Sequence, residues 1–343
     1  MRFSLAGAAI VAAFALLAGC SGQATGPASL LQGPQRLKNT SPCPCLYVTN
    51  AASNTVTVYG AGAKHDAKPI QEISGSYTEL DGPEGVAVDA SGNIYVANFS
   101  GGPSGGGSVT VYAAGATGNA TPTAVISGYY TQLYRPVGIA LDPVNGDIYV
   151  ANYYGPGSES AGSVTAYAPG SNGNVAPIAN IGGSYTMLDT YTPNGIALDA
   201  GGNIYVSSST GTAVLVFPSG STGNVSPSAL ISGYNTGLDA PEGLALDSNA
   251  NIYVANEGSN TITVYAAGAN GNVSPVQTIS GHKTKLNRPD GITLDSNNNV
   301  YAANDGSSWM TAYAAGASGD KKPIVRIKGK KTGLDGPAGI TIR

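Results

Sequence analysis

Four side chains that carry oxygen donors recur at one place in a repeat: Glu84, Asn194, Glu242 and Asp290 each stand between a proline and a glycine. The same place is held by Val137 in one unit and Ala338 in another. Three carboxylates and an amide brought to one point could do two kinds of chemistry. They could ligate a hard divalent cation such as Ca²⁺, which takes oxygen donors. Without a cation, carboxylates sharing a site repel, so at least one keeps its proton to an unusually high pH. Either outcome requires residues as far apart as Glu84 and Asp290 to meet.

The repeat supplies the means. Pro-x-Gly followed by an apolar run falls at Pro83, Pro136, Pro193, Pro241, Pro289 and Pro337, and the last three intervals are 48 residues each. A fixed period of this length marks stacked supersecondary units. In the unit opening at Pro83, Val86 to Asp89 and Ile94 to Asn98 read as strands around a tight Asp-x-x-Gly-Asn turn. A third strand follows at Val109 to Tyr112 and a fourth near Ala124 to Ser127. The first two are apolar on both faces, so both faces must be covered. Small residues such as Gly85 and Ala87 suit an innermost strand crowded against an axis. The expectation is an all-β fold, a six-bladed β-propeller of four-stranded blades. Leu46–Thr49 reads as a second strand and Ile340–Ile342 as a first strand, so the two should pair and close the ring. Every Pro-x-Gly opening then lies on one face, the top, with its middle residue at the mouth of the central channel.

Pro-x-Gly-Val-Ala-Val-Asp-x-x-Gly-Asn-Ile-Tyr-Val-Ala resembles the NHL repeat, and the likeness runs from Leu46 to Arg343. It implies a propeller and little about activity. The usual Asp after Tyr-Val-Ala is replaced by Asn98, Asn152, Asn256 and Asn304, and by Ser208 in one unit. The mouth set also resembles the gluconolactonase-like (senescence marker) propellers. That likeness implies one divalent metal held by Asn194, Asp290 and either Glu84 or Glu242, activating a water or polarising a lactone carbonyl. The family's Glu-Gly-Pro opening is Pro-Glu-Gly here, and its substrate-contacting residues have no counterpart to name.

Composition narrows the partners. The 343 residues carry a net charge of −4 with only 10% charged, unlike a nucleic-acid surface with its concentrated basic face. Arg2, the apolar run Leu5 to Leu17 and Leu17-Ala18-Gly19-Cys20 read as a signal peptide over residues 1–19. The last four residues resemble a bacterial lipobox, which implies lipid on Cys20. Ser21 is not acidic, so the expected address is the outer membrane. Residues 20–42 read as a flexible tether and 43–343 as the propeller, with Cys43 and Cys45 at its threshold.

Other residues have smaller claims. Asp89, Asp142, Asp199, Asp247 and Asp295 repeat at a turn and are read as architecture, as are Tyr47, Tyr95, Tyr149, Tyr205, Tyr253 and Tyr301. The two histidines, His65 and His282, lie in different units and different loops, so a Ser-His-Asp site would have to use His282 alone. Phe99, Tyr153 and Tyr154, on two long top loops, are expected to form an aromatic ligand rim with Tyr129, Tyr130 and Tyr134. Lys321, Lys322, Arg326, Lys328, Lys330 and Lys331 make a basic patch on an outer strand. Two functions stand side by side. One is a monomeric envelope module binding protein, peptide or glycan through its top face. The other is a metal-dependent lactonase or esterase, its catalytic residues unassigned.

Overall fold

A computed structural model describes residues 44–102, 105–155 and 161–343. The expected signal peptide over residues 1–19, Cys20, the expected tether and Cys43 lie outside the described residues. Six four-stranded antiparallel sheets form the blades of a closed ring. Blade one joins the two ends of the domain: its inner strand is Pro337–Ile342, followed outward by Leu46–Asn50, Thr55–Tyr59 and Gln71–Ile73. The inner strands of blades two to six are Pro83–Val88, Pro136–Leu141, Ile196–Leu198, Pro241–Leu246 and Pro289–Leu294. The seam pairs Leu46 with Ile342, Tyr47 with Thr341 and Val48 with Ile340, as the repeat required.

The inner strands reach further toward the top than the apolar runs alone imply. Pro83 pairs with Asn98 and Val86 with Val96, so Glu84 and Gly85 together oppose one residue, Ala97. The same irregularity recurs in blades one, five and six. An extra residue of this kind bends a strand and re-aims its side chain. Here it lifts the middle residue of Pro-x-Gly out of the ladder. The following glycine has a different task. A Cβ on Gly243 would stand 2.6 Å from the carbonyl oxygen of Asp290, and Gly85, Gly138 and Gly195 meet the next blade in the same way. No larger residue could let neighbouring inner strands approach this closely.

Blades pack through buried second- and third-strand residues such as Val96, Val254, Leu215 and Ile262. A lock absent from the sequence reading sits on the third strand. Tyr59, Tyr112, Tyr167, Tyr265 and Tyr313 are fully buried, and each hydroxyl donates to a linker carbonyl, as Tyr265 does to Thr236 at 2.6 Å. The Asn that replaces the repeat's Asp is also structural. Asn98 is fully buried; its Oδ1 accepts from the Asp81 N–H, and its Nδ2 donates to Thr110 at 3.1 Å. A carboxylate there could not donate that second bond.

Candidate functional site at the top-face mouth

Glu84, Asn194, Glu242 and Asp290 line one cavity of about 400 Å³, with Phe99, Val137, Tyr153, Glu257, Arg288 and Asp305 completing its wall. The middle residue of Pro-x-Gly therefore faces the channel mouth in five blades. Blade one differs: Ala338 is buried and does not line the cavity, where that blade contributes only Gly339, the counterpart of glycines that every other blade also places there.

Asn194 organises one side. Its Nδ2 donates to Glu242 Oε2 at 2.7 Å, while its Oδ1 accepts from the Ser209 hydroxyl at 2.9 Å and from the Ser209 N–H at 3.1 Å. The other side carries an ion-pair rim. Arg288 contacts Glu257 Oε1 at 2.5 Å and Asp305 Oδ2 at 3.5 Å. Three features of this site went unread in the sequence. Arg288, Glu257 and Asp305 meet only once blades five and six are in register. Thr49 and Ser207 carried a signal, because hydroxyls replace the alanine found at Ala97, Ala151, Ala255 and Ala303. Each donates to a mouth carbonyl, Thr49 to Glu84 and Ser207 to Glu242, and so pins the backbone that carries a glutamate.

The carboxyls hold protons tightly. Burial, then the nearby charge of Asp305, raises Glu84 to about 7. Burial, then Glu257 and Glu84, raises Glu242 to about 8, against the bonds from Ser209 and Asn194 that favour its charge. Asp290 is pushed well above the ordinary carboxylate range by burial and by Glu242, Glu84, Asp305 and Glu257. Near neutral pH the mouth therefore carries both acid and carboxylate forms.

Among the described residues no three His, Cys, Asp or Glu side chains form a metal-ligating group. Asn194 spends its oxygen on Ser209 and its nitrogen on Glu242. A cation would have to part these bonds and draw the carboxylates inward.

The expected aromatic rim divides in two. Phe99 and Tyr153 meet edge to face at 6.4 Å, Tyr153 touches Tyr154 at 4.8 Å, and Tyr154 touches Tyr134 at 6.2 Å. The Arg135 guanidinium lies over Phe99 at 4.9 Å. Tyr129 and Tyr130 pair with each other instead, and Tyr129 is 83% exposed. Neither histidine lines the cavity.

Residues 45–337 match the family described as Lactonase, 7-bladed beta-propeller. The chain belongs to that family. Its own ring closes with six blades, because Pro337–Ile342 pairs directly with Leu46–Asn50. Among solved structures, this lactonase-family propeller is similar to a protein of unknown function from Bacteroides caccae, at 12% identity and TM-score 0.62, covering 88% of this chain and 98% of that one. It is similar to the periplasmic gluconolactonase PpgL of Pseudomonas aeruginosa, at 13% identity and TM-score 0.57, covering 87% and 99%. A chain of a nidogen/laminin complex is also similar, at 16% identity and TM-score 0.59, covering 87% and 97%. Likeness at these identities establishes the fold. No curated protein matches the sequence.

Proposed function

We propose that this protein is a binding propeller whose axial mouth takes a small, uncharged, hydroxyl-rich ligand of the sugar or sugar-lactone class. The observation behind this reading is that Glu84, Asn194, Glu242 and Asp290 line one cavity flanked by Phe99 and Tyr153. A protonated carboxyl both donates and accepts, an amide does likewise, and an aromatic ring covers the apolar face of a sugar. Charge restricts the choice further. Glu257 and Asp305 face a single guanidinium, and each mouth acid that ionises adds to them, so an anionic ligand meets net repulsion. The cellular setting belongs to the same proposal: an NHL-like lipoprotein anchored through Cys20 at the outer membrane, acting as a monomer on an envelope glycan or glycan-bearing protein.

A second reading, lactone hydrolysis, is favoured by family membership, by the gluconolactonase among the structural neighbours, and by the spread of proton affinities at the mouth. Glu84, poised near neutrality, would take a proton from water as the water oxygen bonds to the lactone carbonyl carbon. Asp290, still protonated, would give its proton to the ring oxygen as the C–O bond breaks. The carboxylate product would then be expelled by the charges that admitted the neutral lactone.

Calorimetric titration at pH 6 with a neutral aldonolactone and with its open-chain carboxylate tests both readings. The lactone is expected to bind at least about tenfold more tightly, and Asn194→Ala to weaken it by about tenfold. Equal affinity for the carboxylate would sink the charge argument. Ring opening that survives chelator and disappears in Asp290→Asn selects the hydrolase; binding without opening selects the module. Added Ca²⁺ is expected to leave the melting temperature unchanged, and a rise would restore the cation.

A further inference from the structure

Basic residues are distributed very unevenly around this ring. Between residues 69 and 282 the sequence has one, Arg135, whereas six fall within the eleven residues from Lys321 to Lys331. Arg326 lies on the outer strand of blade six, Val325–Ile327, and Lys321, Lys322, Lys328, Lys330 and Lys331 flank it.

Lysine on an outer strand ordinarily keeps an open edge from pairing with another chain. That explanation fails here, because the edge is already taken. His65 bridges to Ile327, its N–H donating to the Arg326 carbonyl at 2.7 Å and its carbonyl accepting from the Lys328 N–H at 2.9 Å. Equivalent bridges cover the other five outer strands, at Ile73, Ile126, Ile181, Ile231 and Ile279, and none of those strands contains Lys or Arg. None of the six side chains pairs with a carboxylate among the described residues. Among the described residues the ion pairs are Lys283 with Asp320 and Arg288 with Glu257 and Asp305. Unpaired like charges crowded on one edge cost stability, so the patch is not there to hold the blade together.

We propose that the outer edge of blade six binds a linear anionic polysaccharide, carboxylated or sulfated, lying along the strand. All six charges fall on one stretch of chain that extends at most about 35 Å, a footprint suited to a linear polymer lying along the strand. Arg326 and Lys328 lie over the Trp309 ring at 5.4 and 4.8 Å. The ring face is thus occupied, which denies a nucleic-acid base the stacking platform that single-strand binding uses. The site is separate from the mouth and does not rest on the function proposed there.

Trp309 is the only tryptophan in the chain and reports on the patch directly. Titrating the full chain with dextran sulfate at about 20 mM salt is expected to change tryptophan emission saturably, and about 500 mM salt to abolish the change. Uncharged dextran should give none. Lys330→Ala with Lys331→Ala leaves both cations over the ring, and these two exposed side chains are expected to weaken binding about tenfold or more at unchanged melting temperature. No emission change, or full affinity in the double variant, overturns the site. A stronger response to phosphatidylglycerol vesicles or to single-stranded DNA at equal charge overturns the polysaccharide.

Discussion

Deleting residues 337–343 is expected to lower the melting temperature by about 12 °C or more and to broaden the transition. The segment is the inner strand of blade one, and its removal leaves Leu46–Asn50 without a partner on the channel side. Ile340 is buried in the core that also holds Leu46, Val48 and Met310, and Ala338 is buried at the mouth. Each large buried side chain lost or uncovered costs about 1.5–3 kcal/mol, so the total is on the order of 6 kcal/mol. At about 2 °C per kcal/mol for a domain of this size, the shift follows. The loss spreads beyond one blade, since Gly339 packs against the Glu84 carbonyl and Thr49 joins both. A differential scan of the truncated chain checks this. A midpoint within about 2 °C of the full chain means the seam does not hold the ring.

Stability is expected to fall by about 6 kcal/mol between pH 5 and pH 9, and Glu242→Gln to recover more than half of that loss at pH 9. The sign follows from the proton affinities. Glu84 and Glu242 are raised to about 7 and about 8, whereas an unfolded glutamate titrates near 4.5. The folded protein therefore holds more protons than the unfolded chain across that interval. Its stability is complete below the unfolded value and drains away as pH rises through the folded ones. On the acid side the turn aspartates act in the opposite sense. Partial burial pushes Asp89 up, but bonds from the Asn93 side chain and from the Asn93 and Ser91 N–H groups win, and its affinity is lowered. Asp199 behaves alike. Those contributions fade as the turn carboxylates protonate, so the maximum lies near pH 5. Denaturant melts of both proteins across this range decide the matter, and a wild-type optimum above pH 8 would contradict the mouth electrostatics.

Both predictions rest on features of very different legibility. Closure could be read from the sequence because the chain starts with a second strand and stops with a first one, and the seam register of Val48 with Ile340 follows from that arithmetic. The turn aspartates were equally plain, since a carboxylate four residues before an Asn bonds within its own turn. The mouth acids were placed by a single rule, that the middle of Pro-x-Gly faces the channel. The structure brings that residue to the cavity wall at Glu84, Val137, Asn194, Glu242 and Asp290 but not at Ala338, which is buried. Long-range polar partners stayed hidden. Nothing local in Tyr265 announces that its hydroxyl ends on Thr236, or in Arg288 that Glu257 waits across the blade boundary. Tyr129 was expected to join Tyr153 in the rim from a linker close to the top loops. The fold places Tyr129 out on the linker, exposed as its counterpart Tyr234 is, and so away from the rings that line the mouth.

The central claim is that ring closure gathers acids from separate blades into one mouth where they keep their protons. Infrared titration of the carboxyl C=O stretch in the wild type and in Glu242→Gln tests it most directly. The account predicts protonated carboxyl signal surviving well above pH 6 in the wild type, lost in steps near about 7 and about 8, and diminished in the variant. Complete ionisation of every carboxyl by about pH 5 would contradict it, for the acids would then stand apart in water.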